Sequence, residues 1–180
     1  MKVVYNEPKE VYKMTKRLQN FLPVFILLFG LFVLGSMFFD VLQNNNGDAI
    51  MTGTTATFGG TPYQFGTFFN HSVHFSYLNL LAFSFPAVIA IISMVTVINE
   101  KKTSSSKFVL GIILTLTFIL SVVLIFQLPE NTLNTTTIGS TEVHGNYGSY
   151  NLAIGGVMAY IFAILGAIFS LLYAILQFEK

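Results

Sequence analysis

Four uninterrupted apolar runs, at residues 21–39, 75–98, 108–128 and 152–178, alternate with polar segments and occupy about half of the 180-residue chain. At about 1.5 Å of rise per helical residue, each is long enough to cross a hydrocarbon core of about 30 Å. The pattern predicts transmembrane helices over 21–42, 75–98, 108–128 and 152–178, joined by an outer loop at 43–74, a connector at 99–107 and a second outer loop at 129–151. A polar segment at 1–20 precedes the first helix.

Between the spans the pattern changes. Residues 49–58 are rich in Thr and apolar side chains, Gly59 and Gly60 supply a turn, and 61–69 resumes the apolar pattern, so the stretch reads as a β-hairpin. Residues 135–143 can add a third strand, and a small sheet resting on the bundle is more stable than an isolated hairpin. The expected fold is a mainly α integral membrane protein: a four-helix bundle capped by a β-hairpin or three-stranded sheet from the two outer loops.

Composition sharpens this reading. Hydrophobic residues make up 53% of the chain and charged residues 9%, against about 25% charged in soluble domains. A soluble globular domain and a disordered chain are both excluded, and a net charge of +1 offers no basic surface for nucleic acid. The nine cations (Lys2, Lys9, Lys13, Lys16, Arg17, Lys101, Lys102, Lys107 and Lys180) all fall before the first span, between the second and third, or after the fourth. Neither outer loop contains one. Cations near span ends are retained in the cytoplasm, so both termini are expected inside and the two loops outside.

The N-terminus also presents a basic stretch before an apolar run, as a signal peptide does. Its length and the absence of a small-x-small cleavage site after Gly35-Ser36 favour a retained span. Residues 8–19 read as a short amphipathic helix starting near Pro8, with Pro23 at the start of the first span. Cys is absent, which excludes disulfides, thiolate metal sites and a catalytic thiol. Unstapled outer loops point to the plasma membrane of a bacterium or archaeon. Trp is absent too, leaving the interfacial belts to Tyr63, Tyr77, Tyr147 and Tyr150 outside and to Tyr5, Tyr12 and Tyr173 inside.

Four spans with inside termini, a longer first outer loop, a shorter second one and outer strands resemble the claudin architecture. The resemblance implies topology alone. The first-loop motif of claudins uses a Trp and a Cys pair, and this chain has neither, so junction and pore roles do not carry over. The tetraspanin pattern, with its large Cys-rich second outer loop, does not fit.

Candidate functional residues fall into three groups. In the fourth span Gly155, Ala159, Ala163 and Ala167 form one small-residue row, and Gly166, Ser170 and Ala174 form another. Such rows make shallow grooves for a neighbouring backbone, from the same chain or from a second one. Pro86 interrupts the second span, predicting a kink and leaving the Ala82 carbonyl in need of a new donor. On the outer side, His71 and His74 share a face if 70–78 is helical, and His144 with Glu142 can join them to hold zinc or another divalent cation.

The four apolar runs contain no Asp, Glu, Lys, Arg or His, whereas pumps and coupled transporters place ionisable groups at membrane depth. These features lead to the expectation of a non-enzymatic interaction, assembly or accessory subunit without an obligatory cofactor. Its partners would be the lipid bilayer and either further copies of itself or other membrane subunits. An oligomeric channel and an outer-face metal-binding or metal-dependent hydrolytic protein are the alternatives.

Overall fold

The computed structural model describes residues 9–66, 68–98 and 104–178. The chain runs α1 (Lys9–Ser36), β1 (Asp40–Gln43), β2 (Ala49–Thr52), α2 (Gly53–Phe58), β3 (Gly60–Phe65), β4 (Phe69–Val73), α3 (Tyr77–Ile98), α4 (Ser104–Phe126), α5 (Leu128–Asn131), β5 (Leu133–Ile138), β6 (Thr141–Asn146), β7 (Asn151–Leu152) and α6 (Ile154–Phe178). Four helices, over Leu18–Ser36, Tyr77–Val97, Ser105–Phe126 and Ile154–Phe178, are long and apolar enough to cross a membrane. The fold is mostly helical, with two small antiparallel sheets.

Two expectations about α1 change. The first span, expected to reach residue 42, ends at Ser36, because Asp40–Gln43 is drawn into strand pairing with β2 and β7. The separate amphipathic helix of 8–19 is the first part of one continuous helix, and Pro23 lies inside that helix. Residues 1–8, including Pro8, and 99–103 of the 99–107 connector lie outside the described residues.

Aromatic and small side chains pack the bundle. Phe25, Phe29 and Phe32 of α1 meet Phe162 and Phe169 of α6, with ring centroids 5.0–6.5 Å apart. Gly166 lies directly against the ring of Phe118 on α4, and a Cβ at Gly111 would come 2.8 Å from that of Ala174. A Cβ at Gly155 would meet Ser36, Phe39 and Asp40 just past α1. Gly155, Ala159, Ala163, Gly166, Ser170 and Ala174 are buried within this single chain, and Ala167 is half-buried. The small residues of α6 thus let α1 and α4 approach it closely. Tyr173, expected in the inner aromatic belt, is 1% exposed and belongs to the core.

Helix α3 continues through Pro86. The Ala82 carbonyl, deprived of the Pro86 donor, accepts a hydrogen bond of 2.6 Å from Ser121 Oγ on α4. Phe83, Phe118, Leu114, Ile26 and Val33 fill the middle of the bundle.

Both sheets lie at the end where the 37–76 and 127–153 segments emerge. One has strand order β2-β1-β7 and the other β3-β4-β5-β6. The predicted hairpin is displaced. Residues 53–58 form a helical turn, because Thr52 caps it by accepting from the Thr55 amide and Gly59, at φ +81°, terminates it. Strand β3 therefore pairs with β4, and the chain reverses between Phe65 and Phe69. The single third strand expected over 135–143 is instead two: Gly139, at φ +61°, breaks it into β5, paired with β4, and β6, which folds back on β5.

Asn79 joins this platform to the bundle. Fully buried on the first turn of α3, it donates to the Ala56 carbonyl at 2.8 Å and to Thr132 Oγ1 at 2.9 Å, linking α2, α3 and the end of α5.

Candidate functional site

The four-stranded sheet carries all three histidines, and strand geometry separates them. Because 69–73 is a strand, neighbouring side chains leave opposite faces. Register places His71 beside Tyr63 on β3 and Thr136 on β5, whereas Ser72 shares a row with Thr135 and His144. His74, just past β4, reaches the second row: its Nε2 lies 2.7 Å from Thr135 Oγ1, which lies 2.8 Å from His144 Nδ1. One hydroxyl thus joins His74 to His144 while His71 stands on the opposite face, so the expected cluster of His71, His74, His144 and Glu142 does not assemble. Glu142 is exposed, and among the described residues no group of three His, Asp or Glu side chains is placed to hold a metal ion.

The His71 face forms one wall of a cleft of about 400 Å³, lined by Ile50, Tyr63, Phe69, His71, Asn134, Thr136, Asn146, Tyr147 and Tyr150. Each element contributes through alternation: Tyr63 from β3, Phe69 and His71 from β4, Asn134 and Thr136 from β5. Tyr147 and Tyr150 enter from the turn before β7, held by the bond from the Tyr150 amide to the Tyr147 carbonyl. The Tyr147 ring meets the Tyr150 ring edge-on at 5.2 Å and the His71 ring at 6.1 Å.

A polar relay crosses the cleft. Tyr147 Oη is 2.6 Å from His71 Nε2, and His71 Nδ1 is 2.8 Å from Thr136 Oγ1. Burial is the largest influence on Tyr147 and, with the neighbouring Tyr150 and Tyr63, pushes its phenol up to about 12, opposed by a hydrogen bond from Asn134. Burial also lowers the His71 pKa below its ordinary 6.5, holding the ring neutral at pH 7. The two bonds of His71 tie β4 to β5 and to the turn before β7, which stiffens the cleft wall.

Sequence reasoning placed His71, Tyr63, Tyr147 and Tyr150 on the outer side but missed the cleft they share. Its polar members, Asn134, Thr136 and Asn146, look in the sequence like ordinary loop residues. The signal was alternation in 133–138, where Asn134 and Thr136 take one face and Thr135 the other.

The sheet also presents free edges. All six residues of the edge strand β6 are exposed, and Val143 on it is 57% exposed. Ile138, Leu133, Phe65 and Phe68 add further exposed apolar surface.

No protein-family model, curated protein or solved structure matches the chain.

Proposed function

We propose that this chain is a non-enzymatic assembly or accessory subunit of the plasma membrane, with both termini in the cytoplasm, and that it engages a second copy or another membrane protein through its outer platform. The observation carrying this reading is the open β6 edge. Soluble and membrane proteins alike usually shield such edges with Lys, Pro, a bulge or a covering element. Strand β6, Thr-Glu-Val-His-Gly-Asn, lies fully exposed with neither Lys nor Pro, and its one charge, Glu142, stands on the face opposite Val143. An exposed edge takes up a strand from a partner through main-chain hydrogen bonds.

The small-residue rows of α6 favour this outer surface over a contact through the fourth span, because α1 and α4 already cover most of them. Phe83 and Phe118 fill the centre of the single bundle, so a channel would have to form between several copies. Purification of the full chain in a mild detergent, followed by native mass spectrometry, should recover a defined complex. Val143→Lys, which places a charge on the edge, should abolish it while leaving thermal stability within about 0.5 kcal/mol, as for other surface substitutions. A bare monomer for the parent chain, or a complex that survives Val143→Lys, would overturn the reading.

A further inference from the structure

The cleft on the His71 face takes one lining residue, Asn146, from the end of β6 and the others from outside that strand. Its volume of about 400 Å³ falls within the range of about 300–1,000 Å³ for small-molecule sites. Four aromatic rings (Tyr63, Phe69, Tyr147 and Tyr150), two amides (Asn134 and Asn146), a hydroxyl and an imidazole line it together with Ile50. None of the described lining residues is Lys, Arg, Asp or Glu.

Each of these features restricts the ligand. Without a counter-charge, a phosphate, carboxylate or ammonium group would lose its hydration shell uncompensated. A purely apolar ligand would bury the amides and the Thr136 hydroxyl without partners, at a similar penalty. A side-chain amide both donates and accepts, which matches the hydroxyl group, itself both donor and acceptor. The Asn134 amide and the Thr136 hydroxyl, both on the cleft wall, can each donate and accept, as a sugar hydroxyl requires. Tyrosine rings add flat apolar area with polar tips at little cost in conformational entropy.

We propose that this cleft binds a neutral glycan, its C–H faces resting on the rings of Tyr63, Phe69 and Tyr150 and its hydroxyls meeting Asn134, Asn146 and Thr136. Tyr147 and His71 position the site through the relay.

The test uses the full chain in nanodiscs of phosphatidylethanolamine and phosphatidylglycerol, which avoids maltoside detergents and choline headgroups. Saturation-transfer NMR is recorded with maltose, lactose and chitobiose as neutral probes, and with choline and glucose 6-phosphate as charged ones. At least one neutral disaccharide should receive saturation at its ring protons, with weaker or no transfer to the charged probes. Tyr150→Ala should weaken that binding about tenfold, the loss of one stacking contact, and Tyr150→Phe should restore it at an unchanged melting temperature. Asn146→Ala, at an exposed position, provides a second variant that should also weaken binding. Adding a digalactosyl lipid to the nanodisc separates the sources: displacement of the free sugar identifies a lipid-borne glycan, and its persistence a soluble one. No transfer to any neutral sugar, a preference for choline, or binding indifferent to both Tyr150→Ala and Asn146→Ala would overturn the proposal. Val143 pairs with Thr136 on the cleft face, whereas Glu142 pairs with Thr137 on the opposite one, so Glu142→Lys should disrupt the β6 edge contact and keep the sugar response, and failure of this site and failure of the β6 edge can be told apart.

Discussion

Ser121 and Ser84 show how much the partner of a hydroxyl matters. Ser84 Oγ donates back to the Leu80 carbonyl on its own helix, whereas Ser121 Oγ crosses from α4 to the Ala82 carbonyl that Pro86 has orphaned. Hydrogen bonds between membrane helices average about 0.6 kcal/mol, but a buried carbonyl left without any donor costs about 1–3 kcal/mol. Ser121→Ala should therefore destabilise the protein by about 1–2 kcal/mol, and Ser84→Ala should be nearly neutral; thermal unfolding of both in one detergent checks the contrast. The unmet need of Ala82 follows from the sequence, since Pro86 has no N–H, but the identity of its donor does not, because Ser121 lies on another helix. His71 and Tyr147 make a second prediction at this scale. Burial lowers the His71 pKa, so the unfolded chain binds the proton more readily, and stability falls as the pH drops below about 6.5. The Tyr147 phenol stays protonated up to about 12 when folded but ionises near 10 when unfolded, so stability is complete below pH 10 and is lost between 10 and 12. A melting-temperature profile should show both limbs, with His71→Gln flattening the acid one and Tyr147→Phe the alkaline one.

Among the elements, α6 illustrates a legible motif with an illegible partner. Its small residues at spacings of three and four announce a close helix contact, but the same spacing serves contacts within a chain and between chains. Here Gly166 receives the Phe118 ring and Ala174 abuts Gly111, so the contact is internal. Ala163 is fully buried, and Ala163→Leu should overpack the bundle by about 1–3 kcal/mol. The melting temperature should fall while the oligomeric state on size exclusion stays the same; a change of oligomeric state without loss of stability would place the contact between chains. The strands were harder to read. Residues 49–58 have strand composition, yet a Thr52 cap and the positive φ of Gly59 turn half of them into helix. Local capping outweighed β propensity, which is itself strongly context-dependent.

For the whole molecule, orientation is the property with the clearest electrostatic cause. Every Lys and Arg lies before or in the first part of α1, between α3 and α4 or in the first turn of α4, or after α6, and none in the segments that build the sheets. By the positive-inside rule the sheets are expected outside the cytoplasm. The chain has no native Cys, so single substitutions report cleanly. In intact cells, Ser140→Cys, at the exposed β5–β6 turn, should react with a membrane-impermeant maleimide, and Ser105→Cys, at the opposite end, should react only after permeabilisation. The reverse pattern would invert the protein and place the cleft and the β6 edge in the cytoplasm.

The number of spans and the orientation expected for them were determined by the sequence alone, because hydrocarbon thickness and charge retention act on local runs of residues, whatever their neighbours in the fold. What faces what was decided by tertiary structure. The separation of His71 from His74 and His144 depends on 69–73 being a strand paired on both sides, and that pairing joins two loops about sixty residues apart. The cleft needs Tyr147, Asn134 and His71 in register, and the small residues of α6 need Phe118 and Gly111 of α4 opposite them. Contacts of this kind arise only when distant segments meet, and local periodicity records which face a side chain takes but not what it meets there.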